Sequence, residues 1–302
     1  MTTPAATGLV GFLPSPSRGT IDLGPLALNA YGMCIAVGAV AAVWLTSKRW
    51  VAKGGHPQFM ERLAITAIPA GIIGARIYHV ATDWRSFQGR WGDVFRIWEG
   101  GLGIWGGIAL GVTVGLVGVR RQGGSVALAL HCVAPALPLA QAIGRWGNWF
   151  NIELFGRPST VPWALEVPAR KRPASFKAFE TFHPTFLYES LWNLAVCVLL
   201  IVLSGWFLRR FRLGAAFAGY VALYTLGRYF IERIRIDNAT KVGGLRVNEI
   251  VSVVCFAVAA GVLVALRKKK KQPPEPLPTL DSPATEATEA TDAPGGDSAI
   301  AV

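Results

Sequence analysis

The side chains best suited to chemistry lie in residues 144–160, which directly follow the apolar run Val126–Ile143. The candidates there, which stand among glycines and aromatic residues, are Arg145, Asn148, Asn151 and Glu153. Arg145 therefore lies at or inside a membrane boundary, where an ionisable side chain is costly and is by default a functional candidate. Its planar guanidinium suits the oxygens of a phosphate group, and the glycines let the backbone approach a head group closely. The alternative is an interfacial turn with a snorkelling arginine and an aromatic belt.

Four further segments place polar residues in or beside apolar runs; their candidates are Tyr31, Arg76, His183 with Glu189, and Arg228 with Glu232. Tyr31 is either an interface anchor or a functional group, and Arg76 either snorkels or binds phosphate. Glu189 falls inside an apolar run, so it should face the protein interior with an arginine partner. Arg228 and Glu232 are four residues apart and share one helix face, either as an ordinary ion pair or as part of an active site.

The composition indicates which elements must hold these residues. The 302 residues are 52% hydrophobic and 16% charged, with a mean hydropathy of +0.40, which is typical of a polytopic membrane protein. Seven apolar runs are each near the ~20 residues that a spanning helix needs. They are Leu26–Leu45, Leu63–Val80, Gly100–Val119, Val126–Ile143, Thr185–Leu208, Gly214–Ile231 and Val247–Leu266. We therefore predict an all-α polytopic membrane protein with seven transmembrane helices and a small extracytoplasmic cap region.

The chain divides by composition into three parts. We predict an extracytoplasmic N-terminal segment at residues 1–25, a seven-helix membrane domain at 26–266 with an outer loop at about 146–184, and a disordered cytoplasmic tail at 267–302. The net charge of +12 comes from basic residues in short loops and from the run Lys268–Lys271. Contact with anionic membrane lipids explains that distribution better than a nucleic acid does, so no nucleic-acid partner is expected.

The cysteines and histidines give no sign of a metal site. Each of the four cysteines lies within an apolar run without a CxxC spacing, and the four histidines are scattered. No P-loop and no Gly-rich nucleotide loop is visible either, so we expect no cofactor. The third apolar run has a glycine at every fourth position from Gly103 to Gly115, which predicts close helix packing rather than chemistry.

Residues 144–160 resemble the signature of the prolipoprotein diacylglyceryl transferase family, G-R-x-G-N-[FW]-x-N-x-E-x-[FW]-G-x-x-x-T. Further segments similar to that family are Tyr31-Gly32, Gly74-Ala75-Arg76, His183 to Glu189 and Gly227 to Arg235, and the resemblance extends over roughly Asn29 to Glu249. It implies an enzyme of the bacterial inner (plasma) membrane with phosphatidylglycerol as lipid donor. The acceptor would be the thiol of the lipobox cysteine in the signal peptide of a preprolipoprotein, giving a thioether and glycerol phosphate.

The resemblance also implies roles for individual residues. The expected catalytic residues are Arg145, Arg228, Glu232 and Tyr31. The expected lipid-binding residues are Arg145, Asn148, Asn151, Glu153, Gly156 and Arg76. The arginines suit the negative charge that develops on a leaving phosphate ester, and the carboxylates can hold the arginines or accept a proton.

The chain departs from the family pattern at two places. Trp105 stands where many members have a histidine that could act as a base, and tryptophan cannot accept a proton. His131 stands where the family often has aspartate, and we interpret it as a hydrogen-bonded core histidine. Two other functions remain open on the sequence: a phospholipid or small-solute transporter that binds anionic head groups without chemistry, and a different head-group enzyme such as a phosphatase or phosphatidyltransferase.

The charge of the loops predicts the orientation of the chain. Basic residues concentrate in the first, third and fifth loops and after the last run, which share one side if there are seven spans. We expect the N-terminus outside and the C-terminus in the cytoplasm. Topology reporters fused after Lys53, Arg121, Arg210 and Lys271 should all report cytoplasm, and an outside signal at any two of them would refute the seven-span arrangement.

Overall fold

Helices dominate the computed structural model, which describes residues 12–23, 26–97 and 100–268. Within those ranges the helices are α1 (Ala30–Val51), α2 (Phe59–Thr82), α3 (Ile104–Arg121), α4 (Val126–Val133), α5 (Ala136–Gly144), α6 (Trp146–Asn151), α7 (Thr185–Val202), α8 (Ser204–Arg210), α9 (Ala215–Ile234) and α10 (Val247–Ala265). The strands are β1 (Thr20–Leu23), β2 (Leu26–Asn29), β3 (Leu165–Glu166), β4 (Thr181–Phe182), β5 (Lys241–Val242) and β6 (Leu245–Arg246). The tail predicted at residues 267–302 lies outside the described residues except for Arg267 and Lys268.

Six helical segments of the described chain are long and apolar enough to cross a membrane: α1, α2, α3, the broken helix Val126–Asn151, α7 and α10. The chain is thus a multi-pass membrane protein, as predicted. The remaining predicted span, Gly214–Ile231, corresponds to α9, which has 20 residues but is less apolar because it carries tyrosines, a threonine and charged residues. Half of its residues are buried, since α9 packs between α7 and α10.

The fourth span is interrupted where the sequence requires it. Proline lacks an N–H group and clashes with the preceding turn, and α4 ends just before Pro135 while α5 contains Pro138. The helix axis restarts at α6, so residues 146–151 extend the span instead of belonging to the predicted outer loop. These breaks bring the polar residues after Gly144 to the end of the helix bundle.

Two other boundaries also differ from the apolar runs. Helix α1 begins only at Ala30, because Asn29 caps it by accepting hydrogen bonds from the N–H groups of Tyr31 and Gly32. Residues 26–29 therefore lie outside the helix and form strand β2. The fifth run ends as α7 at Val202 and continues as the short helix α8.

The cap predicted from the sequence is built from short pieces at one end of the bundle. Strands β3 and β4 pair antiparallel, and Leu13 of the N-terminal segment adds a parallel bridge to Leu165. A small core of Leu165, Val167 and Phe182 with residues of α6 and α7 holds the cap to the helices. We call this end of the molecule, where α7 and α10 begin and α9 ends, the cap side.

Helices α2 and α3 approach each other through glycines. A Cβ atom on Gly74 would lie 2.4 Å from the carbonyl oxygen of Gly106, and one on Gly106 would lie 2.2 Å from the carbonyl oxygen of Gly74. Gly111 of the glycine stripe faces Gly71. The stripe therefore serves helix contact, as its spacing predicts.

Candidate active site

A chain of buried ion pairs crosses the cap-side end of the bundle. Arg145, at the junction of α5 and α6, places its Nε 2.5 Å from Oε2 of Glu189 in α7. The other carboxylate oxygen of Glu189 accepts from Nη1 of Arg228 in α9 at 3.1 Å. One buried carboxylate therefore joins two arginines from different spans, and it is the interior glutamate with an arginine partner that the sequence predicts.

The same chain continues through Glu232, whose side chain is 0% exposed. Its Oε2 lies 2.6 Å from Nη2 of Arg228, and its Oε1 accepts from Nε of Arg246 at 2.7 Å. Arg235 lies 3.6 Å from Glu232 and pairs with Asp237 through two hydrogen bonds of 2.8 and 2.9 Å. Arg228 and Glu232 thus form the predicted ion pair on one helix face, within a larger network.

The network leaves an excess of positive charge. Four arginines and three carboxylates take part: Arg145, Arg228, Arg235 and Arg246 with Glu189, Glu232 and Asp237. Burial on its own would raise the pKa of Asp237, but hydrogen bonds from Arg235 and the charges of Arg235 and Arg246 hold that pKa below its ordinary value. Asp237 is therefore ionised at neutral pH, and within the network the arginines outnumber the carboxylates by one. Glu153, near Tyr31, is a further carboxylate in this region.

The helix end after Arg145 presents Glu153 to the same region. Asn148 and Asn151 donate to Oε1 of Glu153 at 3.0 and 3.3 Å. The residues on both sides of Glu153 have left-handed backbones, with φ of 50° at Ile152 and 59° at Leu154. Such conformations are unfavourable for bulky residues and persist only where the surroundings enforce them, here a hydrogen bond from Thr185 to the Leu154 carbonyl.

Tyr31 lies against this helix end. A Cβ atom on Gly147 would lie 2.5 Å from the Tyr31 ring, so the glycine is needed for the ring to pack there. Tyr31 interacts electrostatically with Glu153 and Arg145. Among the predicted catalytic residues, Arg228 is joined to Arg145 through Glu189, and Glu232 is joined to Arg228. Tyr31 packs on Gly147, two residues after Arg145.

Gly156 lies where three chain segments meet, and its lipid contact stays a prediction. A Cβ atom there would lie 2.7 Å from Ile234 and 2.9 Å from His183, so the glycine lets three chain segments approach. Its N–H donates to the His183 carbonyl at 2.9 Å. Close packing is therefore enough to explain why position 156 needs a glycine.

Arg76 is separate from the ion-pair network. Its guanidinium donates to five backbone carbonyls, those of Asp93, Val94, Arg96, Gly100 and Gly101. A guanidinium has five N–H donors, so all of them are engaged in holding the loop before α3. In this arrangement Arg76 has no donor left for a lipid phosphate, and its lipid contact stays a prediction.

Neither His131, His183 nor Trp105 forms a hydrogen bond or ion pair with Arg145 or Arg228, all five being residues that the structure describes. His131 is buried at the opposite end of the bundle, where its Nε2 lies 3.0 Å from the Ser204 hydroxyl. His183 lies at the entrance of α7, bonded to the Tyr188 hydroxyl at 3.0 Å, and burial lowers its pKa. Trp105 is exposed in the first turn of α3.

An apolar groove opens beside Arg145. It has a volume of about 490 Å³ and is lined by residues of α1, α5, α6 and α7, among them Met33, Val37, Ile143, Trp146 and Leu194. Two of these residues, Ile143 and Trp146, lie two positions before and one position after Arg145 in the sequence. The groove can accept hydrocarbon while a charged group meets Arg145.

The sequence reasoning did not include Arg246 among the site residues. Arg246 is buried and contacts Glu232, Asp237 and the Arg235 carbonyl. It precedes the apolar helix α10 directly, and this position at a span boundary is the signal that could have identified it. Glu189 was singled out but not assigned a role, although it joins the two principal arginines.

Comparisons with known proteins show which family the sequence resembles over most of its length. The sequence model of the family described as prolipoprotein diacylglyceryl transferase matches residues 18–265. Phosphatidylglycerol–prolipoprotein diacylglyceryl transferase 1 of Streptomyces coelicolor is 48% identical over 266 residues, which cover 86% of this chain and 76% of the relative. The phosphatidylglycerol–prolipoprotein diacylglyceryl transferase of Corynebacterium glutamicum is 47% identical over 282 residues, covering 88% of each chain. That of Paenarthrobacter aurescens is 45% identical over 276 residues, covering 86% of this chain and 85% of the relative.

The bridging carboxylate gives a stability prediction. Glu189→Gln should destabilise the protein by about 3–5 kcal/mol, because it leaves two arginines beside a buried neutral group. Glu180→Gln is the matched control: Glu180 is exposed and lies 3.7 Å from Arg172, so its loss should cost about 0–1 kcal/mol. Thermal unfolding in detergent measures both, and equal unfolding temperatures for the two variants would contradict the bridging role.

Proposed function

The chain belongs to the prolipoprotein diacylglyceryl transferase family, and we propose that it transfers the diacylglyceryl group of phosphatidylglycerol to the lipobox cysteine of a preprolipoprotein. The observation that carries the proposal is the pair Arg145 and Arg228, held on Glu189 beside the apolar groove. This arrangement joins two fixed cations to a hydrocarbon surface. A phospholipid needs both, one for its phosphate and one for its acyl chains.

The reaction balances as a substitution at carbon. The bond between the diacylglyceryl carbon and the phosphate oxygen breaks, and a bond from that carbon to the cysteine sulfur forms. The phosphate oxygen keeps the electron pair and leaves as glycerol phosphate, while the thiol loses its proton. Negative charge therefore grows on the phosphate, where Arg145 and Arg228 stabilise it.

The carboxylates have different roles in this proposal. Glu189 and Glu232 already bind arginines and keep them in place before substrate arrives. Glu153 is held by two amides instead, so we assign it the thiol proton, which it takes directly or through Tyr31. A free thiol with a pKa near ~8.5 needs such an acceptor at neutral pH. Asn148 orients Glu153, and neither His131 nor His183 is required.

The site and the basic loops support a proposed orientation. The lipobox cysteine of an exported protein reaches the outer membrane boundary, so the cap side is proposed to face outside, with the C-terminus in the cytoplasm. The basic loops at the opposite end support that orientation, since Lys48, Arg121, Arg210 and Lys268 all lie there. The alternative of a transporter has the same binding geometry but no covalent product.

Mass spectrometry of a lipobox peptide tests the proposed function. The purified protein, phosphatidylglycerol and the peptide should give a peptide heavier by one diacylglyceryl group, attached through sulfur, together with free glycerol phosphate. A peptide with serine in place of the cysteine is the control and should remain unmodified. An unmodified cysteine peptide with intact lipid would identify a binding or transport protein instead.

The arginine-centred mechanism predicts a pattern among variants. Arg145→Ala and Arg228→Ala should each lower the rate of thioether formation by ~10²–10³-fold, the usual cost of one preorganised donor. Lysine at either position should restore little, because it lacks the planar fork. The control Arg85→Ala, an exposed arginine over Trp84, should stay within about twofold, and Trp105→Ala should act only through packing.

The same rate measurement tests the histidines. His131→Ala and His183→Ala should remain well above the arginine variants at neutral pH. If either folded histidine variant were as inactive as Arg145→Ala and recovered at higher pH, where the thiol ionises unaided, that histidine would be the base. The assignment of the proton to Glu153 would then be wrong.

A further inference from the structure

A second basic pocket lies on the cap side, next to the ion-pair network. It has a volume of about 230 Å³ and is formed by the end of α9, the hairpin of β5 and β6, the start of α10 and Arg157 of the cap. Glu232 and Arg246 of the ion-pair network are among its lining residues. We call it the hairpin pocket.

The charges of the hairpin pocket are not balanced. Its floor cations, Arg235 and Arg246, are paired with Glu232 and Asp237, and Arg233 lies 3.6 Å from Glu249. Its remaining cations, Arg157 and Lys241, are exposed and have no ion pair within the described ranges of the chain. The pocket therefore offers two uncompensated positive charges over a floor of preorganised guanidinium groups.

Glu232 forms the boundary between this pocket and the candidate active site. One of its oxygens meets Arg228 at 2.6 Å, and the other meets Arg246 at 2.7 Å. An anion leaving Arg228 on the cap side thus has a second set of arginines one carboxylate away. The apolar groove is lined by α1, α5, α6 and α7 and is mostly hydrophobic. It suits the acyl chains of a cleaved phospholipid, and the hairpin pocket suits the phosphate.

We propose that the hairpin pocket binds the phosphate monoester released by the reaction, the glycerol phosphate, after it separates from the diacylglyceryl group. This inference rests on the proposed function. It assigns Arg157 and Lys241, whose side chains form no ion pair with the residues that the structure describes, to product binding rather than to catalysis.

Charge distinguishes the product from the substrate. An intact phosphatidylglycerol is a phosphodiester with one negative charge, whereas a phosphate monoester carries about −1.5 to −2 at pH 7. A pocket with two uncompensated cations therefore favours the product. It contains no long apolar wall, since its lining is dominated by Arg, Lys and Glu, and this also disfavours a diacyl lipid.

The test is a binding titration with glycerol phosphate on the purified full chain in an uncharged detergent, followed by calorimetry. The double variant Arg157→Gln/Lys241→Gln should bind glycerol phosphate about tenfold more weakly than the parent protein, because it loses two charge-assisted contacts. The control Arg85→Gln/Lys177→Gln removes the same charge from two exposed positions that line neither the hairpin pocket nor the pocket beside Glu153 and should stay within about twofold. Uncharged glycerol should not bind to any of the three proteins.

Kinetics provides the second arm of the test. In Arg157→Gln/Lys241→Gln the single-turnover rate of thioether formation should stay within about twofold of the parent. Added glycerol phosphate should inhibit the parent even at saturating phosphatidylglycerol, and this inhibition should be about tenfold weaker in the variant. If the KM for phosphatidylglycerol rises by that factor instead, the pocket holds the head group of the intact lipid and the proposal is wrong.

Two results in the binding arm would also overturn the inference: an unchanged affinity in Arg157→Gln/Lys241→Gln, or an equal loss in the control variant, which would indicate a general effect of surface charge. The binding arm does not depend on turnover. A parent protein that forms no thioether but binds glycerol phosphate through Arg157 and Lys241 would refute the proposed function and leave the anion site in place.

Discussion

Two buried carboxylates, Glu189 and Glu232, determine how the cap-side end of this protein is arranged. Each contacts arginines from more than one segment, so α5, α7, α9 and the start of α10 are joined through charge. Burying such ions is costly, and their mutual attraction offsets the cost only when the geometry is good and the remaining donors are satisfied. The network therefore suits a site whose arginines must be fixed before a phosphate arrives, and in the proposed function they are fixed for the leaving phosphate.

The rest of the fold allows these charges to meet. Prolines break the fourth span, which ends in a short helix carrying Arg145 and Asn148 to the end of the bundle. Gly227 allows Trp192 of α7 to pack against α9 directly beside Arg228, since a Cβ there would lie 2.2 Å from the indole. The left-handed residues around Glu153 are maintained by contacts from α6 and α7. Glycine, proline and backbone strain thus serve the placement of a few charged groups.

The sequence predicts much of this because a membrane makes polar residues conspicuous. The apolar runs gave the spanning helices, and an isolated glutamate inside one of them, Glu189, required an arginine partner. Periodicity could not predict which arginine, because the partners are 39 and 44 residues away from Glu189 and only packing brings them together. Arg76 shows a different limit of sequence-based prediction. Its position in a motif suggests a lipid ligand, but in the structure all five of its N–H donors bond to backbone carbonyls of a loop. Hydropathy also could not predict where α1 begins, because an asparagine cap sets that boundary. It could not predict α6 either, because the helix continues past the charged Arg145.

The central claim is that Arg145 and Arg228 act on the leaving phosphate as one unit through Glu189. A double-mutant cycle on the single-turnover rate of thioether formation tests this most directly, using Arg145→Gln, Arg228→Gln and the combination. If the arginines act as a unit, the double variant should be no more than about tenfold slower than the slower single variant. If the two losses multiply, so that the double variant falls by the product of the single effects, the arginines work independently and the claim is contradicted.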